Sequence, residues 1–100
     1  MAIKYKLQQE AIEDLKEIGR YPLKNHGKNQ RHIYLQGIKK RFESLADMPL
    51  MGRPRNEIKE GYYSSDYKKH IIFYLIQESY IEVLGVLGVL HETMLPERYL

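Results

Sequence analysis

The sequence predicts an α+β fold: an N-terminal strand and an antiparallel helical hairpin, packed on a mainly antiparallel sheet of three to four strands. Two changes of pattern support this prediction. Ile3, Tyr5 and Leu7 alternate with lysines, which is typical of a half-buried strand. From residue 9 the apolar side chains recur every three or four positions, as in an amphipathic helix, and after Gly61 the chain is strand-like. Helices followed by strands favour one helical layer on one sheet.

The first helix is predicted over residues 9 to about 21, because Pro22 cannot donate a helical hydrogen bond. Its apolar face holds Ala11, Ile12, Leu15, Ile18 and Tyr21, and its polar face Glu10, Glu13, Asp14, Lys16, Glu17 and Arg20. The second helix is predicted over residues 28–46, with an apolar ridge at Leu35, Ile38, Phe42 and Leu45.

Glycine and proline residues affect the second helix and its end. Gly37 weakens it by up to about 1 kcal/mol relative to alanine, and it permits close approach of another element. Residues 48–55 hold two prolines and one glycine, which predicts a loop after the helix.

The last third of the chain predicts a strand meander. Residues 62–64 suit a short strand, with a turn near Ser65 and Asp66. Residues 70–76 are apolar and rich in β-formers, as expected of a central strand, and residues 77–79 form a turn. Residues 80–90 then complete a hairpin with this central strand.

A triplet repeat interrupts the last strand. Val-Leu-Gly occurs at residues 83–85 and 86–88, and Val-Leu-His follows at 89–91. Three added residues are an odd shift, which exchanges the two faces of a strand beyond the insertion. We therefore expect a β-bulge at Gly85 or Gly88, or an early end to the strand.

Composition narrows the class of protein. The chain of 100 residues suits one compact domain over residues 1–100. It contains no cysteine, which excludes disulfides and thiolate metal sites. No apolar run is long enough for a signal peptide or a membrane span, so we expect a soluble, cytoplasmic protein that does not bind a membrane.

Charge is concentrated in the middle of the chain. Residues 24–55 contain eight Lys or Arg against Glu43 and Asp47, whereas residues 61–100 contain three positive and five negative side chains. A basic segment favours an acidic protein or nucleic acid as partner, and a solvated helix face explains it equally well.

The sequence contains no known hydrolase motif and no metal-ligand spacing. No serine lies in a Gly-x-Ser-x-Gly context, and His26 and His32 are spaced wrongly for one helical face, so we expect neither a metal nor a cofactor. Metal-free RNA cleavage needs a base, an acid and cations. Residues of those types are His70, His91, Arg53, Arg55, Lys68, Lys69, Tyr74, Arg98 and Tyr99.

Six segments together resemble the ParE toxins of the RelE/ParE superfamily, in the family order and across nearly the whole chain. They are AIEDLKEI at residues 11–18, GKNQ at 27–30, LADMPLMGRP at 45–54, EIKEGY at 57–62, HIIFY at 70–74 and VLHETM at 89–94. Two positions depart from the pattern: Tyr63 and Gly88 stand where relatives often have arginine. Both lie where RelE-type ribonucleases hold phosphate-binding groups, so these departures favour ParE-type behaviour.

The resemblance implies a toxin of a type II toxin–antitoxin system that inhibits DNA gyrase by binding, without catalysis. It also implies a ParD-like antitoxin as the neutralising partner. Sequence-specific binding of nucleic acid by the toxin alone is not expected. The formation of a homo-oligomer is compatible with the resemblance. The alternatives are a ribosome-dependent mRNA endonuclease, with His91 or Tyr99 as base and Arg98 or Lys69 as cation, and a non-toxic remnant that still binds antitoxin.

On this resemblance we expect two sets of contact residues. The toxicity set is Arg53, Arg55, Glu60, His70, Tyr74, His91, Met94 and Arg98. The antitoxin set is Leu15, Ile18, Tyr21, Tyr34 and Ile38, on the helices, together with a sheet edge to which an extended peptide can add a strand.

Overall fold

The computed structural model describes residues 4–20 and 28–88, which form two helices and a five-stranded sheet. The elements in chain order are β1 (Tyr5–Leu7), α1 (Gln9–Arg20), α2 (Lys28–Asp47), a 3-10 turn (Pro49–Met51), β2 (Arg53–Pro54), β3 (Tyr62–Tyr67), β4 (His70–Ile76) and β5 (Ile81–Gly88). The α+β class and both helices are therefore confirmed.

The sheet is mixed, with strand order β1-β5-β4-β3-β2. β1 pairs in parallel with β5, and the other neighbours are antiparallel. The prediction of three to four strands missed β2, which lies inside the expected loop and pairs Arg53 with Ser64. Pro54 is tolerated there because β2 is at the edge of the sheet, where a missing N–H leaves no ladder bond unmade.

β3 is longer than expected. The predicted turn at Ser65 and Asp66 is wrong, because both residues pair with β4. The strand continues to Tyr67, and the reversal falls on Lys68 and Lys69. Lysine is an unusual residue for a two-residue hairpin turn, which explains why the sequence did not reveal it.

The main core lies between the helices and one face of the sheet. Its buried members are Ala11, Ile38, Phe42, Leu45, Ile72, Tyr74, Ile81, Val83 and Val86. A second apolar cluster, on the opposite face, comprises Tyr62, Ile71, Phe73, Leu84 and Leu87. Because β4 and β5 contribute to both clusters, their near-continuous apolar runs are explained by burial on two faces.

A bulge in β5 absorbs the triplet repeat. The register passes from Tyr74 opposite Val83 to Phe73 opposite Gly85, so that Leu84 is the extra residue, one position before the predicted Gly85. Val83 lies in the main core and Leu84 in the opposite cluster. Gly85 is the residue that pairs with Phe73 on the far side of the bulge.

Asp14 secures this irregular strand. Its carboxylate Oδ2 accepts a hydrogen bond of 2.9 Å from the backbone N–H of Val86, just beyond the bulge. The assignment of Asp14 to the polar face of α1 is thus wrong, since the residue is buried. Position 14 follows Ala11 by three residues and precedes Ile18 by four, which places it on the apolar face.

Candidate functional site

One end of the helix–sheet interface is closed by Tyr74, in the middle of β4. Its hydroxyl donates a hydrogen bond of 2.6 Å to the Pro49 carbonyl and accepts one of 3.1 Å from the Gly52 N–H. Burial raises the pKa of Tyr74 to about 12 and so keeps the phenol neutral. We call Pro49, Gly52 and Tyr74 the Tyr74 clamp, because this one side chain fixes the turn that leads into β2.

The turn that the Tyr74 clamp holds presents apolar side chains to solvent. Met48, Leu50 and Met51 are all exposed, and Leu50 is 75% accessible. Gly52 is required at the end of this turn, since a Cβ there would overlap the Tyr74 hydroxyl and lie 2.8 Å from the Ser64 carbonyl oxygen. The turn is therefore held rigidly from within.

The other end of the interface joins Tyr34 of α2 to His70, the first residue of β4. The Tyr34 hydroxyl and His70 Nδ1 share a hydrogen bond of 2.6 Å. Burial lowers the pKa of His70, partly offset by the negative charge of Asp14, and burial raises the pKa of Tyr34. Both groups are thus kept neutral near pH 7.

Cations surround this pair at the β3–β4 turn. Arg41 Nη1 donates hydrogen bonds to Ser65 Oγ at 3.0 Å and to the Asp66 carbonyl at 2.6 Å. Its guanidinium carbon lies 5.5 Å from the centre of the Tyr67 ring, and Lys68 Nζ lies 5.6 Å from the same centre. We call Tyr34, Arg41, Tyr67, Lys68, Lys69 and His70 the hairpin-turn cluster.

Arg55 lies on the opposite face of the sheet from Tyr74. It is buried, and its Nε donates a hydrogen bond of 2.6 Å to Glu57, whose pKa this bond lowers. Arg55 Nη1 donates to Ser64 Oγ at 3.2 Å, and the guanidinium lies 5.5 Å from the centre of the Phe73 ring. These contacts give Arg55 a structural role at the rim of the second apolar cluster.

A cleft of about 490 Å³ runs between the helices and β1. Its apolar lining includes Tyr5, Leu7, Ile12, Leu15, Leu35, Ile38 and Phe42. Two exposed lysines, Lys16 and Lys39, lie at its border. The cleft combines a large apolar floor with two lysines at its rim, of which Lys16 forms an ion pair of 3.8 Å with Glu13.

The toxicity candidates do not form one site among residues 4–20 and 28–88. Tyr74 and Arg55 face opposite sides of the sheet, Arg53 is exposed on β2, and His70 is at the far end of β4. Glu60 is exposed and lines a separate cleft near Tyr62 and Leu75. His91, Met94, Arg98 and Tyr99 lie outside the described residues.

Two of the antitoxin candidates come together in the cleft. Leu15 lines it from α1 and Ile38 from α2, although Ile38 is fully buried and forms only its inner wall. Ile18 is half-buried against the main core, and Tyr34 lies in the hairpin-turn cluster. Tyr21 lies outside the described residues. All these assignments stay predictions.

Sequence reasoning missed Arg41 and Tyr67 as members of a cluster. A usable signal was present: Tyr34 and Arg41 are seven residues apart, which places them on one side of a helix. Gly37, halfway between them, lies so close to β3 that a Cβ would overlap the Tyr67 hydroxyl, which confirms the predicted close approach.

Within the described ranges, no group of three or more His, Cys, Asp or Glu residues could hold a metal ion. None of the helices in those ranges is long and apolar enough to cross a membrane.

Two solved structures have a fold similar to that of this chain. The chain is similar to one in the chromosomal ParDE toxin–antitoxin system from P. aeruginosa, with a TM-score of 0.74, 17% identity, and coverage of 87% of this chain and 96% of that one. It is also similar to a chain of the YoeB-YefM complex from Staphylococcus aureus, with a TM-score of 0.58, 15% identity, and coverage of 87% and 97%. The chain therefore shares the fold of these two solved structures.

The sequence specifies the family. Residues 5–96 match the model of the ParE toxin of type II toxin–antitoxin system, parDE. "Toxin ParE1" of Caulobacter vibrioides is 28% identical over 90 residues, which are 90% of each chain. The chain belongs to the ParE toxin family.

Proposed function

We propose that this protein is a cytoplasmic toxin that inhibits DNA gyrase by binding it, and that a ParD-like antitoxin neutralises it. The observation that carries the proposal is the match to the ParE toxin family over residues 5–96. A relative of similar length, "Toxin ParE1", supports it.

Inhibition by binding fits the contacts of three candidate catalytic groups that the structure describes, whereas His91, Arg98 and Tyr99 lie outside the described residues. The Tyr74 hydroxyl is occupied by Pro49 and Gly52, and Arg55 is engaged by Glu57 and Ser64. His70 shares its Nδ1 hydrogen bond with Tyr34. Groups committed to fixing the fold are poor acids and bases, since proton transfer would break the contacts that position them.

The apolar cleft between α1 and α2 is the proposed docking surface for the antitoxin. β1 adjoins it, and β1 is a sheet edge to which a strand can be added. The other edge, β2, is less suitable because Pro54 has no N–H to offer. An acidic peptide with apolar anchors suits the cleft, whose rim carries Lys16 and Lys39.

The test of the target is DNA supercoiling by purified gyrase at increasing toxin concentrations. We expect a dose-dependent loss of supercoiling, which added ParD-like antitoxin reverses. No effect of the folded protein at a large molar excess would refute gyrase inhibition. Cleavage of mRNA by the toxin on ribosomes would then support the endonuclease alternative, and antitoxin binding without toxicity would support the remnant.

The test of the docking surface is Lys39→Glu, with Lys59→Glu as control. Both lysines are exposed, but only Lys39 lines the cleft between the helices. We expect Lys39→Glu to weaken antitoxin binding about tenfold and the control to leave it unchanged, because like charges would then meet at the rim. Equal affinities for the two variants in calorimetry would exclude the cleft as the docking surface.

A further inference from the structure

The β3–β4 turn carries an unusual choice of residues. Lys68 adopts φ +52°, and within the described residues it is the one non-glycine residue with positive φ. Glycine or asparagine normally occupies such a position, and another side chain costs about 1 kcal/mol. A non-glycine residue in this conformation suggests that its side chain has a use.

The side chains of the turn form a positive surface. Lys68 and Lys69 are exposed at its tip, and Arg41 lies beside it on Tyr67. Between residues 61 and 77 the chain has a single acidic residue, Asp66. The turn therefore attracts an anion, and closely spaced cations attract a polyanion more strongly.

The aromatic rings of the hairpin-turn cluster are already covered. Tyr34 and Tyr67 pack edge to face at 5.4 Å, and Lys68 Nζ lies 5.8 Å and 5.6 Å from their ring centres. Arg41 lies over Tyr67 as well. Stacking of bases needs open ring faces, so these contacts favour an interaction with phosphates rather than with bases.

We propose that the hairpin-turn cluster binds the phosphate backbone of nucleic acid through Lys68 and Lys69, without reading the base sequence. This inference goes beyond gyrase inhibition and does not depend on it. A toxin that acts on a DNA-bound target would gain a second contact, with the DNA beside the target.

The test is fluorescence anisotropy of two labelled DNA duplexes of unrelated sequence across a salt series. We expect equal affinity for both duplexes, and an affinity that falls with salt. Each lysine that contacts a phosphate contributes about 0.9 to the slope of log K against log salt, so Lys69→Gln should lower the slope by about 0.9.

The Lys68→Gly variant distinguishes a loss of DNA binding from a loss of fold stability. Glycine removes the charge and also relieves the positive φ, so this variant should keep or raise the midpoint of thermal unfolding and yet bind DNA more weakly. Lys59→Gln, which removes an exposed lysine far from the turn, should bind like the wild type. Asp66→Asn should bind more tightly.

Three outcomes would overturn the proposal. One is an unchanged salt slope in the Lys68→Gly, Lys69→Gln double variant. Another is a clear preference for one of the two duplex sequences. The third is tighter binding to an acidic peptide than to DNA of the same charge, which would assign the turn to a protein partner. Loss of gyrase inhibition plays no part in this test.

Discussion

The two ends of α2 contact the sheet in opposite ways. At the C-terminal end, the side chain of Tyr74 is buried, and its hydroxyl satisfies a carbonyl and an N–H. Nearer the N-terminal end, the hairpin-turn cluster is half-exposed and basic, and its central hydrogen bond joins two ionisable groups. Both ends place a glycine against a tyrosine hydroxyl. The same contact, a glycine against a tyrosine hydroxyl, thus occurs in a rigid turn at one end and beside an exposed basic turn at the other.

Gly52→Ala should have the largest effect. The new methyl group would overlap the hydroxyl of Tyr74 and approach the backbone oxygen of Ser64, and neither can move freely in a packed interior. We expect a loss of about 2–3 kcal/mol in the free energy of unfolding, measured by urea denaturation. A loss below about 1 kcal/mol would show that the clamp is not rigid.

Tyr74→Phe should have the next largest effect. It removes the hydroxyl but keeps the ring, leaving the Pro49 carbonyl and the Gly52 N–H without this partner. We expect a loss of about 1–3 kcal/mol on unfolding by urea. Tyr63→Phe, at a half-buried ring packed 5.7 Å from Tyr74, is the matched control and should change stability less.

Gly37→Ala should have a smaller effect than Gly52→Ala. This pair of variants tests whether the hairpin-turn cluster is less rigid than the Tyr74 clamp. Alanine favours the helix by up to about 1 kcal/mol, and this gain opposes the cost of displacing Tyr67. Tyr67 is only half-buried and can turn towards solvent, so we expect a net change within about 1 kcal/mol. A loss as large as that of Gly52→Ala would show that both ends are equally rigid.

The smallest effect should be a pH dependence that belongs to His70. Burial lowers the pKa of His70 below its ordinary value of 6.5, so the unfolded chain binds this proton more readily than the folded one. The stability associated with His70 is therefore fully present above pH 6.5, and it is lost as the pH falls from there through the lowered pKa.

The measurement is the urea midpoint of wild type and His70→Gln at several pH values. The difference between the two proteins should shrink as the pH decreases, because the wild type alone loses the His70 contribution. A difference that stays constant between pH 7.5 and pH 5.5 would contradict this account.

Periodicity was sufficient to predict the helices, the order of elements and the β4–β5 hairpin. It failed where tertiary contacts decide the conformation. β2 forms by pairing with β3, and the buried carboxylate of Asp14 accepts a hydrogen bond from Val86 N–H, just beyond the bulge in β5. The bulge itself was predictable because a three-residue repeat conflicts with the two-residue period of a strand.

The candidate site was less predictable, for the same reason. His70 and Tyr34 were each identified from the sequence, but as members of different contact sets. Only the fold shows that they share a hydrogen bond. Likewise, residue type alone could not show that Arg55 and Tyr74 face opposite sides of the sheet.

The position of β5 also constrains the order in which the chain can fold. This strand lies between β1 and β4, and the Asp14–Val86 hydrogen bond joins residues 72 positions apart. Contacts so distant in sequence form slowly, since a long loop must close first. During synthesis β1 and α1 emerge from the ribosome long before β5, and must wait for their partner strand. The described sheet is complete only once β5 has been made.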